Sequence, residues 1–285
     1  MISIIMTTHK KRPLLYATLT SVFSQKYDDY EFIVVDASSD KYFKEECDRL
    51  FETHNVLKRN FEKKKQKMKI VYPEKDNNFP GAMKMLGFKN CIQDNDFVLF
   101  LDHDDFLCTD ILHHVHQATI QYPQTEMISS YYTSMIYNNG RVYNNIKTYA
   151  GGEPCDSSKF ISIGDMWFEF DLPQDIYCNK HPYLGILHPK ILSKKLIRDH
   201  RFTFIEDTER MDDCAWEVLS HAFIETVIPL PGYVYVGYDK SDPSNSCISS
   251  RKISETAINA KNSCEQYKKF LDSIGYTKQR NIYIV

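Results

Sequence analysis

At 285 residues, with 42% hydrophobic and 26% charged side chains, the chain is long enough for one large core and has the composition of an ordinary globular protein. A net charge of −3 excludes nucleic acid or an anionic membrane as a bulk electrostatic partner. The eight cysteines, at 47, 91, 108, 155, 178, 214, 247 and 264, are scattered without a Cys-x-x-Cys pair; this excludes a zinc ribbon or dithiol redox motif and fits packed, reduced thiols in a cytoplasmic chain.

The apolar start Met1–Met6 is too short for a secretory signal and lacks its basic leader. No run reaches the length of a membrane span, so work on membrane-bound material would be peripheral.

Ile2-Ser3-Ile4-Ile5-Met6 predicts a first strand, ended by the small polar turn Thr7-Thr8-His9. Pro13 suits the first turn of a helix, and Leu15, Leu19, Val22 and Phe23 keep helical spacing to Gln25. Phe32–Val35 predicts a second strand, closed by Asp36 ahead of Ser38-Ser39-Asp40. Strand, helix, strand with polar groups at both strand ends predicts a parallel sheet with a nucleotide edge. Residues 41–54 read as helical. Lys63, Lys64, Lys65, Lys67 and Lys69 form a charge run that reads as a solvated face rather than an anion site. Met68–Tyr72 predicts a third strand, and Phe79-Pro80-Gly81 opens a helix over roughly 82–92.

The run Phe97–Leu101 is too short for a stable helix and suits a strand buried on both faces. Thr109–Gln121 reads as a helix; its His113, His114 and His116 lack good i,i+4 metal spacing and read as solvated or partly packed. Met127–Tyr137, Asn139-Gly140 and Arg141-Val142-Tyr143 predict a hairpin, which makes the sheet mixed. Residues 144–180 read as a long loop region with short elements, an acceptor-side lid. Gly185–Leu196 predicts a short helix, and another starts at Asp212 and runs to about Ala222. Val227–Tyr238 is β-rich but broken by Pro229 and Pro231, and Lys252–Ile274 predicts a last amphipathic helix.

The central run stops at three carboxylates in four positions, Asp102, Asp104 and Asp105. Like charges this close raise one another's pKa, and a divalent cation among them relieves the repulsion. Oxygen-only ligands favour Mg²⁺ or Mn²⁺, held by one or two carboxylates plus substrate phosphates. The alternative is local: Asp102 ends the strand, and Asp104 or Asp105 caps the helix near Thr109. On this stretch alone both readings stay open.

Four motifs in order resemble an inverting glycosyltransferase of family 2. They are Ser3–His9 with the helix to Gln25, Phe32–Asp40, Pro80–Phe88, and Phe100-Leu101-Asp102-His103-Asp104-Asp105. The last is similar to that family's Asp-x-Asp motif. The resemblance implies an α/β GT-A fold, with a mixed, mostly parallel central sheet flanked by helices. It implies a single catalytic domain over 1–250, with a nucleotide-sugar half at 1–125 and an acceptor half at 126–250, and a helical extension at 251–285. Departures are clear. Lys84-Met85 stands in place of Arg-Asn, and Asp212-Asp213 in place of Glu-Asp, with Glu206-Asp207 as a competing pair. No late His has a counterpart near Tyr238-Asp239.

By that resemblance, Asp104 holds Mn²⁺ or Mg²⁺, and Asp102 binds ribose or reaches the metal through water. Thr7, His9 and Asp36 hold the uridine of a UDP-sugar, His103 lies among the donor-binding residues, and Lys84 faces the phosphates. For His9 a plain turn residue is the alternative. Asp213 is the base that deprotonates the acceptor hydroxyl, or else an ordinary acid in a helix's first turn. The acceptor is a glycan or a lipid- or protein-linked glycan, and GDP and dTDP stay open as carriers. Two other functions compete: a non-catalytic nucleotide-sugar-binding homologue and a sugar nucleotidyltransferase. The second needs a Gly-rich loop after the first strand, and Thr7-Thr8-His9-Lys10-Lys11-Arg12 has no glycine.

Overall fold

The computed structural model describes residues 1–10, 15–74, 79–92, 96–138, 141–150, 153–154, 190–199, 204, 227–239, 269 and 272–273. The strands are β1 Ile2–Thr8, β2 Tyr30–Asp36, β3 Met68–Val71, β4 Phe97–Asp102, β5 Phe106–Leu107, β6 Met127–Asn138, β7 Arg141–Ala150, β8 Glu153–Pro154, β9 Lys190–Ser193 and β10 Val227–Asp239. The helices are α1 Leu15–Phe23, α2 Tyr42–Thr53, α3 Asn55–Lys64, α4 Pro80–Lys89, α5 Ile111–Gln121 and α6 Lys194–Arg198. The ten strands among the described residues join one sheet in the order β3-β2-β1-β4-β9-β6-β10-β5, with β7 beside β6 and β8 beside β7.

The first four neighbours are parallel. β1 is laid down first, β2 and β3 are added on one side of it, and β4 on the other. The chain therefore reverses direction across the sheet between β1 and β4, the place where open α/β sheets bind ligands. β9 runs antiparallel between β4 and β6, and β10 runs parallel to β6. The sheet is thus mixed, with β3, β2, β1 and β4 forming its continuous parallel part.

Period-two alternation divides the parallel strands between two layers. Ile2, Ile4, Met6, Tyr30, Phe32, Val34, Phe97, Leu99 and Leu101 share one core with Leu19, Phe23, Phe43, Phe51, Leu57 and Leu112 of α1, α2, α3 and α5. The opposite face carries Ile5, Val35 and Phe100. Gly87 of α4 lies so close to it that an added Cβ would stand 2.4 Å from Ile5 Cγ2 and 3.2 Å from Val35 Cγ2. Ser3 and Glu31 share that face at the opposite, amino edge. There the Lys194 ammonium lies 3.8 Å from Glu31 Oε1 and donates to the Ile92 carbonyl at 2.8 Å.

Several expectations change. Residues 144–150 belong to β7, because β6 pairs with them antiparallel as far as Tyr132↔Tyr149. The predicted helix at 185–196 begins only at Lys194; Lys190–Ser193 is a strand, paired to β4 and β6 at once. α3 was not foreseen, since Leu57 is its main fully buried anchor in a lysine-rich segment. The lysine run is not simply solvated. Lys64 pairs with Asp28 at 2.9 Å and donates to the Gln25 carbonyl, Lys67 donates to the Asp28 carbonyl, and both lie over the Tyr30 ring. β10 continues through Pro229 and Pro231 with a register shift between Leu230 and Tyr233, as residues without an N–H require. Pro13, Asn139-Gly140, residues 155–180, the helix predicted from Asp212, and all but three residues of the last predicted helix lie outside the described residues.

Candidate active site at the carboxyl edge of the sheet

Register places the sequence-predicted residues side by side. Thr7 pairs with Asp102 across β1 and β4, and Thr8 pairs with Asp36 across β1 and β2. The pleat then separates them by face. Thr7 and Asp102 follow the parity of Ile5 and Phe100 toward α4, while Thr8 and Asp36 follow Met6 and Val34 toward α2.

Asp36 is 1% exposed and organises the turn into α2. Its Oδ1 accepts from the Ser38 N–H at 3.0 Å and from the Ser38 hydroxyl; Oδ2 accepts from the Phe43 N–H at 3.3 Å. Ser38 Oγ in turn accepts from the Tyr42 N–H at 3.2 Å. The Tyr42 hydroxyl bonds Thr8 Oγ1 and donates to the Lys10 carbonyl at 2.6 Å, so α2 is tied back to the end of β1.

β4 ends at Asp102, and the next turn closes through the Asp105 N–H donating to the Asp102 carbonyl at 3.1 Å. α5 begins at Ile111 with Asp110 at its N-cap position, and β5 intervenes. The reading in which Asp104 or Asp105 caps that helix is therefore wrong: the N-cap position is Asp110, more than one helical turn further on. Asp102 and Asp104 are half-buried, while His103 and Asp105 are buried. His103 braces the two strand ends. Its Nδ1 lies 3.2 Å from the Thr7 carbonyl, its own carbonyl accepts from Thr18 Oγ1 at 3.0 Å, and its ring meets the exposed His9 ring edge-on at 5.8 Å.

Lys84 sits on α4 one turn before Gly87, about 4.5 Å nearer the carboxyl edge. It is 5% exposed, and its ammonium lies 5.3 Å from the Phe204 ring, which packs edge-on against Phe100 at 4.8 Å. Phe204 had no part in the sequence reading. Lys41 and Tyr72 were read inside a helix and a strand, but both stand just outside those elements at this edge. The clue available was position: Tyr72 follows its strand where Thr8 and Asp36 end theirs.

Among the described residues no three His, Cys, Asp or Glu side chains converge to hold a metal. The set that is present, two half-buried carboxylates at the strand end, suits a hard ion that completes its shell with water and phosphate oxygens, and does not suit a closed zinc cage. Asp213, Glu206 and Asp207 lie outside the described residues.

The family model described as Glycosyl transferase family 2 matches residues 3–152, over half the chain. The chain belongs to glycosyl transferase family 2. The matched stretch of this family 2 chain holds Thr7, His9, Asp36, Lys84, Asp102, His103 and Asp104. Over 122 residues it is 26% identical to the succinoglycan biosynthesis protein ExoW of Rhizobium meliloti, covering 42% of this chain and 34% of that one. The alignment thus spans about a third of that relative's length.

In fold the family 2 chain is similar to S. aureus TarS 1–349 in complex with UDP-GlcNAc, at 17% identity and a TM-score of 0.61, covering 95% of this chain and 66% of that one. It is also similar to the mannosyltransferase PcManGT from Pyrobaculum calidifontis in complex with GDP-Man and Mn²⁺, at 17% identity and a TM-score of 0.53, covering 97% and 65%. These likenesses establish the GT-A architecture.

Proposed function

We propose that this chain is an inverting, metal-dependent glycosyltransferase that moves a sugar from a UDP-sugar to a hydroxyl of a glycan or of a lipid- or protein-linked glycan. One observation carries the reading: the paired registers Thr7↔Asp102 and Thr8↔Asp36 gather the predicted donor-binding residues at the reversal between β1 and β4.

Asp104 and Asp102 would hold Mn²⁺ or Mg²⁺, which when bound supplies positive charge at the diphosphate oxygens. Lys84, on the Asp102 face, adds a fixed positive charge that compensates the departing diphosphate. Thr7 and His9 line the nucleoside side. Asp36 has roughly four lone-pair sites, and Ser38 and Phe43 already occupy three. The one left among the described residues would accept a single N–H, such as N3–H of uracil, whereas guanine presents two adjacent donors. This supports UDP over GDP as the carrier. Asp213 takes the acceptor's proton as its oxygen bonds the anomeric carbon; the bond to the diphosphate breaks and its electron pair leaves with UDP. Attack opposite the leaving group inverts the centre. No helix among the described residues is long and apolar enough to cross a membrane. We place the chain on the cytoplasmic side, meeting any lipid-linked acceptor from the membrane surface.

Calorimetric titration with UDP-, GDP- and dTDP-sugars, with and without Mn²⁺, tests the donor half. UDP-sugars should bind most tightly, and Asp104→Asn should remove the metal dependence. Asp213→Asn should keep donor binding and lose transfer by about 10²–10⁴-fold. Unchanged binding and turnover in Asp104→Asn would sink the reading.

A further inference from the structure

Two lysines are buried among the described residues, Lys84 at 5% and Lys194 at 1% exposed. A lysine is almost never sunk that deep unless something holds its ammonium. Lys194, at the amino edge, has the Glu31 carboxylate at 3.8 Å and the Ile92 carbonyl at 2.8 Å, which tie it into the core. Lys84 stands at the opposite edge, on the Asp102 face, where the transfer chemistry asks its charge to reach a diphosphate. A flexible four-carbon stem lets an ammonium wander, and a wandering charge counts only for the fraction of time it stands at the phosphates.

An aromatic ring lies at that spot. The Lys84 ammonium stands over the Phe204 ring, 5.3 Å from its centre, inside the range of about 6 Å over which a ring face attracts a cation. Phe204 is itself fully buried and far from Lys84 in sequence, so the contact exists only in the folded chain. The ring is fixed in turn. It packs edge-on against Phe100 at 4.8 Å, with 80° between the planes. Phe100 is buried and pairs with Ile5 across β1 and β4. Phe100 and Asp102 lie on the same face of β4, one side-chain repeat of about 7 Å apart. A chain of contacts thus runs from β4, one repeat below Asp102, through the Phe204 ring to the Lys84 ammonium.

A ring face holds a cation without adding a countercharge. Its quadrupole attracts the ammonium, most strongly where water is excluded, and this contact leaves the positive charge to act on an anion. A carboxylate in the ring's place would also fix the ammonium, but it would cancel much of the field that an incoming phosphate feels. Resting on the donor reading above, we propose that Phe204 is a positioning residue: its ring face holds the Lys84 ammonium where the phosphates of a nucleoside diphosphate meet it. Phe204 acts through Lys84 and not on the donor itself.

Calorimetric titration of UDP with Mn²⁺ tests this on the native chain and on chains carrying fluorinated phenylalanine at position 204. Fluorine draws electron density off the ring face and leaves the ring's shape nearly unchanged, so it weakens the hold on a cation and little else. UDP affinity should fall stepwise with one, two and three fluorines, by about tenfold at three. Melting temperatures should stay together across the series. Phe204→Leu should lose UDP affinity by a similar factor, and the fluorinated chains decide the matter if that variant does not fold. In a Lys84→Met background the fluorine series should be flat, because the ring then has no cation to hold. A purely structural ring would give no dependence on fluorine number in either background. UDP affinity that ignores fluorine number, or a loss that persists in Lys84→Met, would overturn the positioning role and leave the donor reading standing. If the native chain bound neither UDP, GDP nor dTDP with Mn²⁺, both would fall.

Discussion

Gly87→Ala isolates the contact that sets the height of Lys84 above the sheet. The added Cβ would lie 2.4 Å from Ile5 Cγ2 and 3.2 Å from Val35 Cγ2. Ordinary carbon–carbon contacts lie at about 3.5–4.0 Å, so α4 and β1 must separate by more than about 1 Å. Ile5 cannot make the room: it is 1% exposed, branched at Cβ, and paired on both sides, to Ile33 and Phe100. The helix gains about 1 kcal/mol from replacing glycine with alanine. Overpacking a tight core costs about 1–3 kcal/mol, and this contact belongs at the upper end. The net expectation is a loss of about 1–2 kcal/mol, measured by urea unfolding followed by circular dichroism. Because Lys84 rides on the same helix, a shift of about 1 Å should also lower kcat/KM by up to about 10²-fold. Ile5→Leu moves the branch away from Cβ, so the double variant should recover most of both losses. A Gly87→Ala protein as stable as native, with unchanged turnover, would show that α4 does not rest on β1 as described.

Three further perturbations have signs fixed by the structure. Lys194→Met strips the cation 3.8 Å from Glu31 Oε1, a buried carboxylate oxygen that also accepts from the Ser3 hydroxyl and from the Ile92 N–H at 2.8 Å. A loss of about 3–5 kcal/mol is expected in chemical denaturation, most of it restored by adding Glu31→Gln. Burial is the first cause that raises the Cys47 thiol from its ordinary 9.0, so the folded thiol stays protonated while the unfolded one ionises. Its contribution is complete below pH 9 and lost as pH rises beyond; Cys47→Ala should flatten the stability–pH slope above pH 9 by up to about 1.4 kcal/mol per unit. Burial and then Asp29 push the Tyr27 phenol up to about 12 from 10.0, so Tyr27→Phe should remove a stability loss that native protein shows between pH 10 and 12 in the same assay.

What the sequence made legible follows from how local the physics is. β1, β2 and β4 announce themselves because strands buried on both faces are short unbroken runs of Ile, Val, Phe and Leu, and each stops at a polar residue where the sheet ends. β9 does not. Lys190-Ile191-Leu192-Ser193 is four residues, and its strand character comes from Leu192 pairing with Val98 on one side and Met127 on the other, contacts distant in sequence. Whether Asp104 or Asp105 caps a helix was undecidable from spacing alone, because it turned on whether α5 starts near Thr109. The two-residue strand Phe106–Leu107, pairing with Tyr235 and Val234, pushes that start to Ile111. Lys41 was hidden for the opposite reason: its backbone, at φ 54°, runs against the preference of its residue type, and strain of that kind shows only in a folded chain.

Strand parity also explains why β1 carries two polar residues at its end. Thr8 and Asp36 face α2, and Thr7 and Asp102 face α4. Side chains alternate with a period of two, and a one-residue slip of β1 would send Thr7 to the α2 face with Asp36 and Thr8 to the α4 face with Asp102. The slip is prevented below the edge. Ile2, Ile4 and Met6 are committed to one core, Ile5 is locked under Gly87, and Ser3 is hydrogen-bonded to Glu31. The division of labour at the site is therefore fixed by the five residues that precede it, and the buried Ser3–Glu31–Lys194 cluster at the opposite edge helps keep each polar residue on its own face.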